Sequence, residues 1–175
     1  MDVKISPQKQ MEALQAPFSP ADIEWRIQQA GLYQQPKNGS NGWALVLAYV
    51  TNRAIMERLD EVFGVFGWKN VFDKAPDGGV LCGISVFYNN EWITKWDGAE
   101  NTQIEATKGG LSGAMKRAGV QWGIGRYLYN LEATFVNLYS DKDRGTQSYW
   151  HKETKTKYYW QLPKLPNWAI PKGDN

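Results

Sequence analysis

The residues most suited to chemistry in this 175-residue chain lie between Ile104 and Asn130, in the run IEATKGGLSGAMKRAGVQWGIGRYLYN. Lys108, Ser112 and Lys116 stand four apart, which makes one stripe on a helix. Arg117 lies beside that stripe, and Arg126 follows just past the expected helix end. Cations placed in this way suit a phosphate backbone, because each neutralises a charge without reading a base. Ile104, Leu111, Met115, Ala118 and Trp122 fall on one side at helical period and predict a core-facing stripe. Gly109, Gly110, Gly113 and Gly119 interrupt the helix, each at a cost of about 1 kcal/mol relative to Ala. Two explanations stand for them. Either a phosphate chain or another protein element approaches bare backbone, or the helix packs on a sheet through its small residues.

Other chemistries have little support. His151 is the single histidine and Cys82 the single cysteine, so no nucleophile–base pair and no zinc set is evident. Asp141 and Asp143 pair carboxylates within a charged turn and read as solvated surface. No GxxxxGK[ST] occurs, and Gly119–Gly125 lies in or after a helix, so no ATP site and no other cofactor or metal is expected. Carboxylates that meet only on folding leave a small α+β enzyme as an alternative.

Composition sets the frame. Hydrophobic residues make up 42% and charged residues 22%, the balance of a globular domain with one core. No apolar run approaches the ~20 residues that span a bilayer. The N-terminus lacks a signal-peptide layout, so a cytoplasmic setting without membrane contact is expected. Cys82 sits in an apolar run and reads as a buried small residue. The net charge of +2 is small but unevenly placed. Through Gln103 there are nine Lys+Arg against twelve Asp+Glu; from Ile104 onward there are eleven against six. Nine Trp, nine Tyr and six Phe supply either core or stacking platforms for a single strand, and composition does not separate the two.

The secondary structure that holds these residues is readable in chain order. A short helix is expected over 8–16, ending before Pro17. A second is expected from Ser19 as N-cap and Pro20 to about Ala30. Gln34–Gly42 reads as a loop. Trp43–Val50 reads as a strand with Trp43, Leu45, Leu47 and Tyr49 on one face. Thr51 caps a helix Asn52–Phe63, with Ile55, Leu59 and Val62 facing inward. Strands Trp68–Lys74, Val80–Tyr88 and Glu91–Trp96 come next, joined by turns at Ala75–Gly79 and Asn89-Asn90. After the glycine-containing helix, Tyr149–His151 and Lys157–Trp160 are expected to pair as a hairpin, and LPKLPNWAIPKGDN to form an extended arm. The fold class is α+β: an antiparallel β-meander against a long glycine-containing helix, with N-terminal helices and a C-terminal hairpin and arm. One domain is expected over 1–175, its core at about 20–130 and the hairpin and arm at about 131–175.

Three features together resemble the single-strand annealing family of the eukaryotic recombination mediator Rad52 and its phage relatives such as Sak. Phe63-Gly64-Val65-Phe66-Gly67-Trp68 matches FGxxGW after a helix, and the meander entered through Gly79–Phe87 comes after it. Glu105–Gly119 with Gly123–Leu128 matches the glycine-rich helix. The ATKGG…KRA…GIGRYLY run and LPKLPNWAIP are similar to the phage branch in particular. The resemblance spans roughly Asp22 to Gly125.

The resemblance implies a β-β-β-α core assembled into rings or arcs around a positive groove. Single-stranded DNA is held there by its backbone, and complementary strands anneal without ATP, in recombination and repair. It also implies a self-associated, nucleoid-associated protein of a bacterial or phage-infected cell, with a single-strand-binding protein as a further partner. Residue by residue, Arg26 in Glu-Trp-Arg matches a groove arginine, Tyr49 a tyrosine near the groove, and Lys116 a basic groove position. The eukaryotic basic pair one turn earlier falls here on Ser112 and Gly113. Lys108, Arg117 and Arg126 are the expected compensation. Arg53 aligns with a basic region, or pairs with Glu57 on its own helix. A protector of single strands or DNA ends that does not anneal shares all of these residues.

Overall fold

The computed structural model describes residues 6–76, 78–100 and 106–173, with backbone alone at 106–108. Its elements run α1 (Pro7–Gln15), β1 (Ile23–Lys37), β2 (Ser40–Val50), α2 (Asn52–Phe63), β3 (Trp68–Lys74), β4 (Val80–Tyr88), β5 (Glu91–Ala99), α3 (Ala106–Gln121), β6 (Thr134–Leu138), β7 (Gln147–His151) and β8 (Thr156–Trp160). The chain divides into two compact units. One comprises the residues up to Ile23, Val50–Tyr129 and those from Trp168; the other comprises Glu24–Tyr49 and Asn130–Asn167.

The first unit is the expected meander on a helix. β3, β4 and β5 pair antiparallel in sequence order. The β4–β5 hairpin turns on Asn89 and Asn90, both at positive φ (48° and 67°), the signature of a two-residue type I′ loop. Cys82, Ile84 and Val86 alternate along β4 and are buried beneath α3, where Ala114, Met115 and Ala118 meet them. Burial pushes the Cys82 thiol up to about 11, which leaves it an inert core residue. The small residues of α3 pack on protein. A Cβ at Gly113 would stand 3.1 Å from Ala99 of β5, and one at Gly119 would stand 3.5 Å from Ile55 of α2. Helix–sheet packing, the second of the two explanations, accounts for Gly113, whereas Gly119 faces another helix at ordinary contact distance. Ile104, Asp77 of the Ala75–Gly79 turn, and the Lys108 side chain lie outside the described residues.

α2 is capped as expected, the Thr51 hydroxyl accepting from Ala54 N–H at 3.3 Å, with Ile55, Leu59 and Val62 buried. It ends in the FGxxGW turn, whose two glycines answer different needs. Gly64 takes φ 75°, ψ 157°, a region open only to glycine. Gly67 lies against the Phe63 carbonyl, where no Cβ fits. Trp68 then donates its indole N–H to Asp60 at 2.6 Å, and Gly67 accepts from Phe87 N–H at 2.9 Å, so the turn is tied to both α2 and β4. α1 is joined to α2 by Arg58, whose guanidinium donates to the Ala13 and Ala16 carbonyls and lies 4.0 Å from the Phe18 ring centroid.

The second unit corrects two expectations. Ser19-Pro20 does open a helical turn, but it lasts only over Pro20–Asp22. The residues to Ala30 are strand β1, not a second N-terminal helix. Ile23, Trp25 and Ile27 alternate with Glu24, Arg26 and Gln28, and this period of two prevailed over the capping signal because Trp25 and Ile27 have a core to fill. Gln34–Gly42 is likewise the end of a hairpin rather than a loop. β1 and β2 run through it to a two-residue turn at Asn38-Gly39, both at positive φ. β2 pairs with β6, and the core of Ala44, Val46 and Leu138 is closed by Tyr158 and Trp160 of the β7–β8 hairpin. The larger residues Trp43, Leu45, Leu47 and Tyr49 share the opposite, half-buried face. None of the described helices is long and apolar enough to cross a membrane.

Replacing Gly64 or Gly67 by Ala should each lower stability by about 1–3 kcal/mol in urea denaturation, through backbone strain at the first and collision at the second. Val65→Ser, at an exposed position of the same turn, should change it by less than about 0.5 kcal/mol.

Candidate nucleic-acid interface

The C-terminal turn of α3 organises the basic residues of the first unit. The helix closes in a Schellman turn: Ile124 N–H bonds to Gly119 O at 3.1 Å, and Gly123 N–H bonds to Val120 O at 3.0 Å. Gly123 supplies the left-handed residue this closure requires, at φ 93°. The last carbonyls still have lone pairs, and cations take them. Arg126 donates to Val120 O at 3.0 and 2.7 Å, and to Gln121 O at 3.0 Å. Lys95 reaches Gln121 O from β5 at 3.1 Å, its ammonium 4.4 Å from the Trp122 ring centroid. Two exposed cations therefore share one carbonyl oxygen.

Arg117 joins them one turn earlier on α3. Its Nε donates to Asp97 of β5 at 2.9 Å, and the Gln121 amide donates to the other carboxylate oxygen at 3.1 Å. Burial alone would raise the Asp97 carboxyl. Hydrogen bonds from Gln121, the Gly98 backbone and Arg117, with the Arg117 charge, hold it below the ordinary carboxylate range instead. The arrangement gathers three cations, Lys95, Arg117 and Arg126, against one carboxylate, on a surface where all three cations are exposed. Such a cluster can neutralise successive phosphates; it contains no nucleophile, base or metal set. Among the described residues no group of three or more His, Cys, Asp or Glu gathers to hold a metal.

Of the residues expected from sequence, Lys116, Arg117 and Arg126 lie on or beside this part of α3, with Lys116 half-buried. Arg53 is exposed on α2. Arg26 and Tyr49 belong to the other unit, on β1 and β2; Arg26 is paired there with Glu24 at 3.0 Å. Lys95, Asp97 and Gln121 were not anticipated. The signal for Lys95 and Asp97 was present in the alternation of β5: they fall on the helix-facing side, while Trp92 and Trp96 fall on the other.

The first unit defines a class: an α+β meander on a glycine-containing helix, carrying a cationic surface at the helix end. The chain belongs to the Rad52/22 family of double-strand break repair proteins, whose model matches residues 6–81 and 83–147. It is 32% identical over 163 residues to the single-stranded DNA-binding protein DdrA of Deinococcus radiodurans, covering 90% of this chain and 66% of that protein. It is 29% identical over 160 residues to DdrA of Deinococcus deserti, covering 90% of this chain and 68% of that one. The match thus spans about two thirds of the length of each relative.

The depressed Asp97 carboxyl sets a pH dependence. Its contribution is complete above the unfolded-state pKa of about 3.9 and is lost as pH falls through the lower folded value. The stability difference between wild type and Asp97→Asn, read from urea midpoints, should reach at most about 1 kcal/mol near neutrality, because Arg117 is half-exposed. It should shrink as the pH drops below about 4.

Proposed function

We propose that this chain binds single-stranded DNA along the cationic end of α3 and anneals complementary strands without ATP, in recombination and repair. The observation that carries the reading is the family match from residue 6 to residue 147. The cluster of Lys95, Arg117 and Arg126 supplies a physical place for it, because phosphate contacts made without base contacts leave the bases open for pairing. Lys116 extends the same surface along α3, and Lys108, Arg53, Arg26 and Tyr49 are the further contacts proposed. No catalytic step is required. Copies of the chain associate into a ring or arc, so that weak sites of about three cations each add along one strand through multivalency.

A second reading is a protector that binds single strands without annealing them. It is favoured by the relatives, which are named for single-stranded DNA binding alone. One assay separates the two: the annealing rate of complementary labelled oligonucleotides, with ATP and Mg²⁺ absent. Faster annealing that fades as salt rises is the expected result. Tight binding with no gain in rate would establish the protector instead, and absence of binding at low salt would contradict both.

A further inference from the structure

The face of the β3–β4–β5 sheet opposite α3 carries a second set of residues that the cationic cluster does not use. Register places Trp92 opposite Phe87, Ser85 between Thr94 and Lys69, and Gly83 between Trp96 and Val71. Phe87, Trp92, Trp96 and Val71 are 47%, 43%, 47% and 50% exposed, so this side of the sheet stands open. Trp96 lies flat. Three of its ring atoms stand 2.7–2.8 Å from where a Gly83 Cβ would be, so the indole rests on bare backbone with its other face outward. Trp92 meets Phe87 at 5.3 Å between centroids, and the Lys69 ammonium sits 4.3 Å from its centroid. Between the two indoles, Ser85 and Thr94 bond hydroxyl to hydroxyl at 2.8 Å.

We propose that this face is a stacking platform for the unpaired bases of a single nucleic-acid strand, with Trp96 and Trp92 as the stacking rings and Lys69 as the adjoining phosphate contact. Three features select bases over a protein surface. The indoles lie four residues apart on one strand, ~13 Å, so they serve as separate stations instead of one apolar core. The ground between them is a bonded hydroxyl pair whose Thr94 member stays exposed, a polar floor between the rings instead of a continuous apolar patch. The platform's charged residue is a cation; the other charged side chain of this face, Asp73, lies beyond it opposite Leu81. Every base has a π-face, so such a platform binds without reading sequence. The inference rests on the single-strand-binding reading above and adds to the α3 surface a second, base-dependent site.

The test compares binding of the full chain to oligothymidylate and to an abasic oligomer of equal length. Wild type should prefer the base-bearing strand by ~10-fold or more, the scale of one or two stacked rings. Trp92→Leu with Trp96→Leu, which still covers Gly83, should lose that preference while keeping the abasic affinity, and Trp→Phe at both positions should restore most of it. Equal wild-type binding to both strands, or an unchanged preference in the Leu variant, would overturn the platform and leave the α3 site standing. A wild-type oligomer that dissociates in the Leu variant would show the face to be a contact between copies, which also overturns it. Wild-type failure to bind either strand would overturn the platform together with the reading on which it rests.

Discussion

A helix that ends inside a protein leaves carbonyl oxygens without partners, and the end of α3 meets that constraint with cations. The Schellman closure at Gly123 satisfies Gly119 and Val120, and the remaining lone pairs on Val120 and Gln121 fall to Arg126 and Lys95. The negative end of the helix dipole favours cations there, which offsets part of the repulsion between the two that share one oxygen. Asp97 then fixes Arg117 beside them. The basic surface is thus built by the helix terminus, and each member is anchored through its hydrogen bonds while remaining exposed. Arg58 does the same at the end of α1, where it binds the Ala13 and Ala16 carbonyls and holds α1 to α2.

The meander sorts its side chains by strand alternation. On β5, Lys95 and Asp97 face α3, and Trp92, Thr94 and Trp96 face away, because successive residues of a strand point to opposite sides. One strand therefore serves a cationic surface and an aromatic one. The FGxxGW turn keeps this sheet in place under α2 and α3: Asp60, Trp68, Gly67 and Phe87 form a continuous set of hydrogen bonds from helix to sheet. The motif is short because its demands are local. One glycine is fixed by a dihedral angle and the other by a carbonyl.

Much of the first unit was legible in sequence. α2 with its Thr51 cap, the three strands and the Asn89-Asn90 turn all carry local signals, and the family resemblance joined them. The N-terminal region was less so, because Ser19-Pro20 is a helix-start signal that here opens only one turn, and only the core around Trp25 and Ile27 reveals that the chain continues as a strand. The Asn38-Gly39 turn was readable, but the polar residues around it obscured it. At the candidate interface, Arg117 and Arg126 were expected from charge and spacing. Their partners were not, since Asp97 and Lys95 are twenty or more residues away and meet them only through sheet register. Of the α3 glycines, Gly113 admitted two explanations until Ala99 of β5 was seen against it.

If the end of α3 holds a phosphate backbone, the salt dependence of binding must report its cations. The measurement is the slope of log affinity for oligothymidylate against log salt, for wild type and for Lys95→Ala/Lys116→Ala/Arg117→Ala. Three lost contacts per copy at about 0.7 each should make the variant's slope shallower by about 2 for each copy the strand spans. A variant that binds with the wild-type slope would contradict phosphate binding at this helix end.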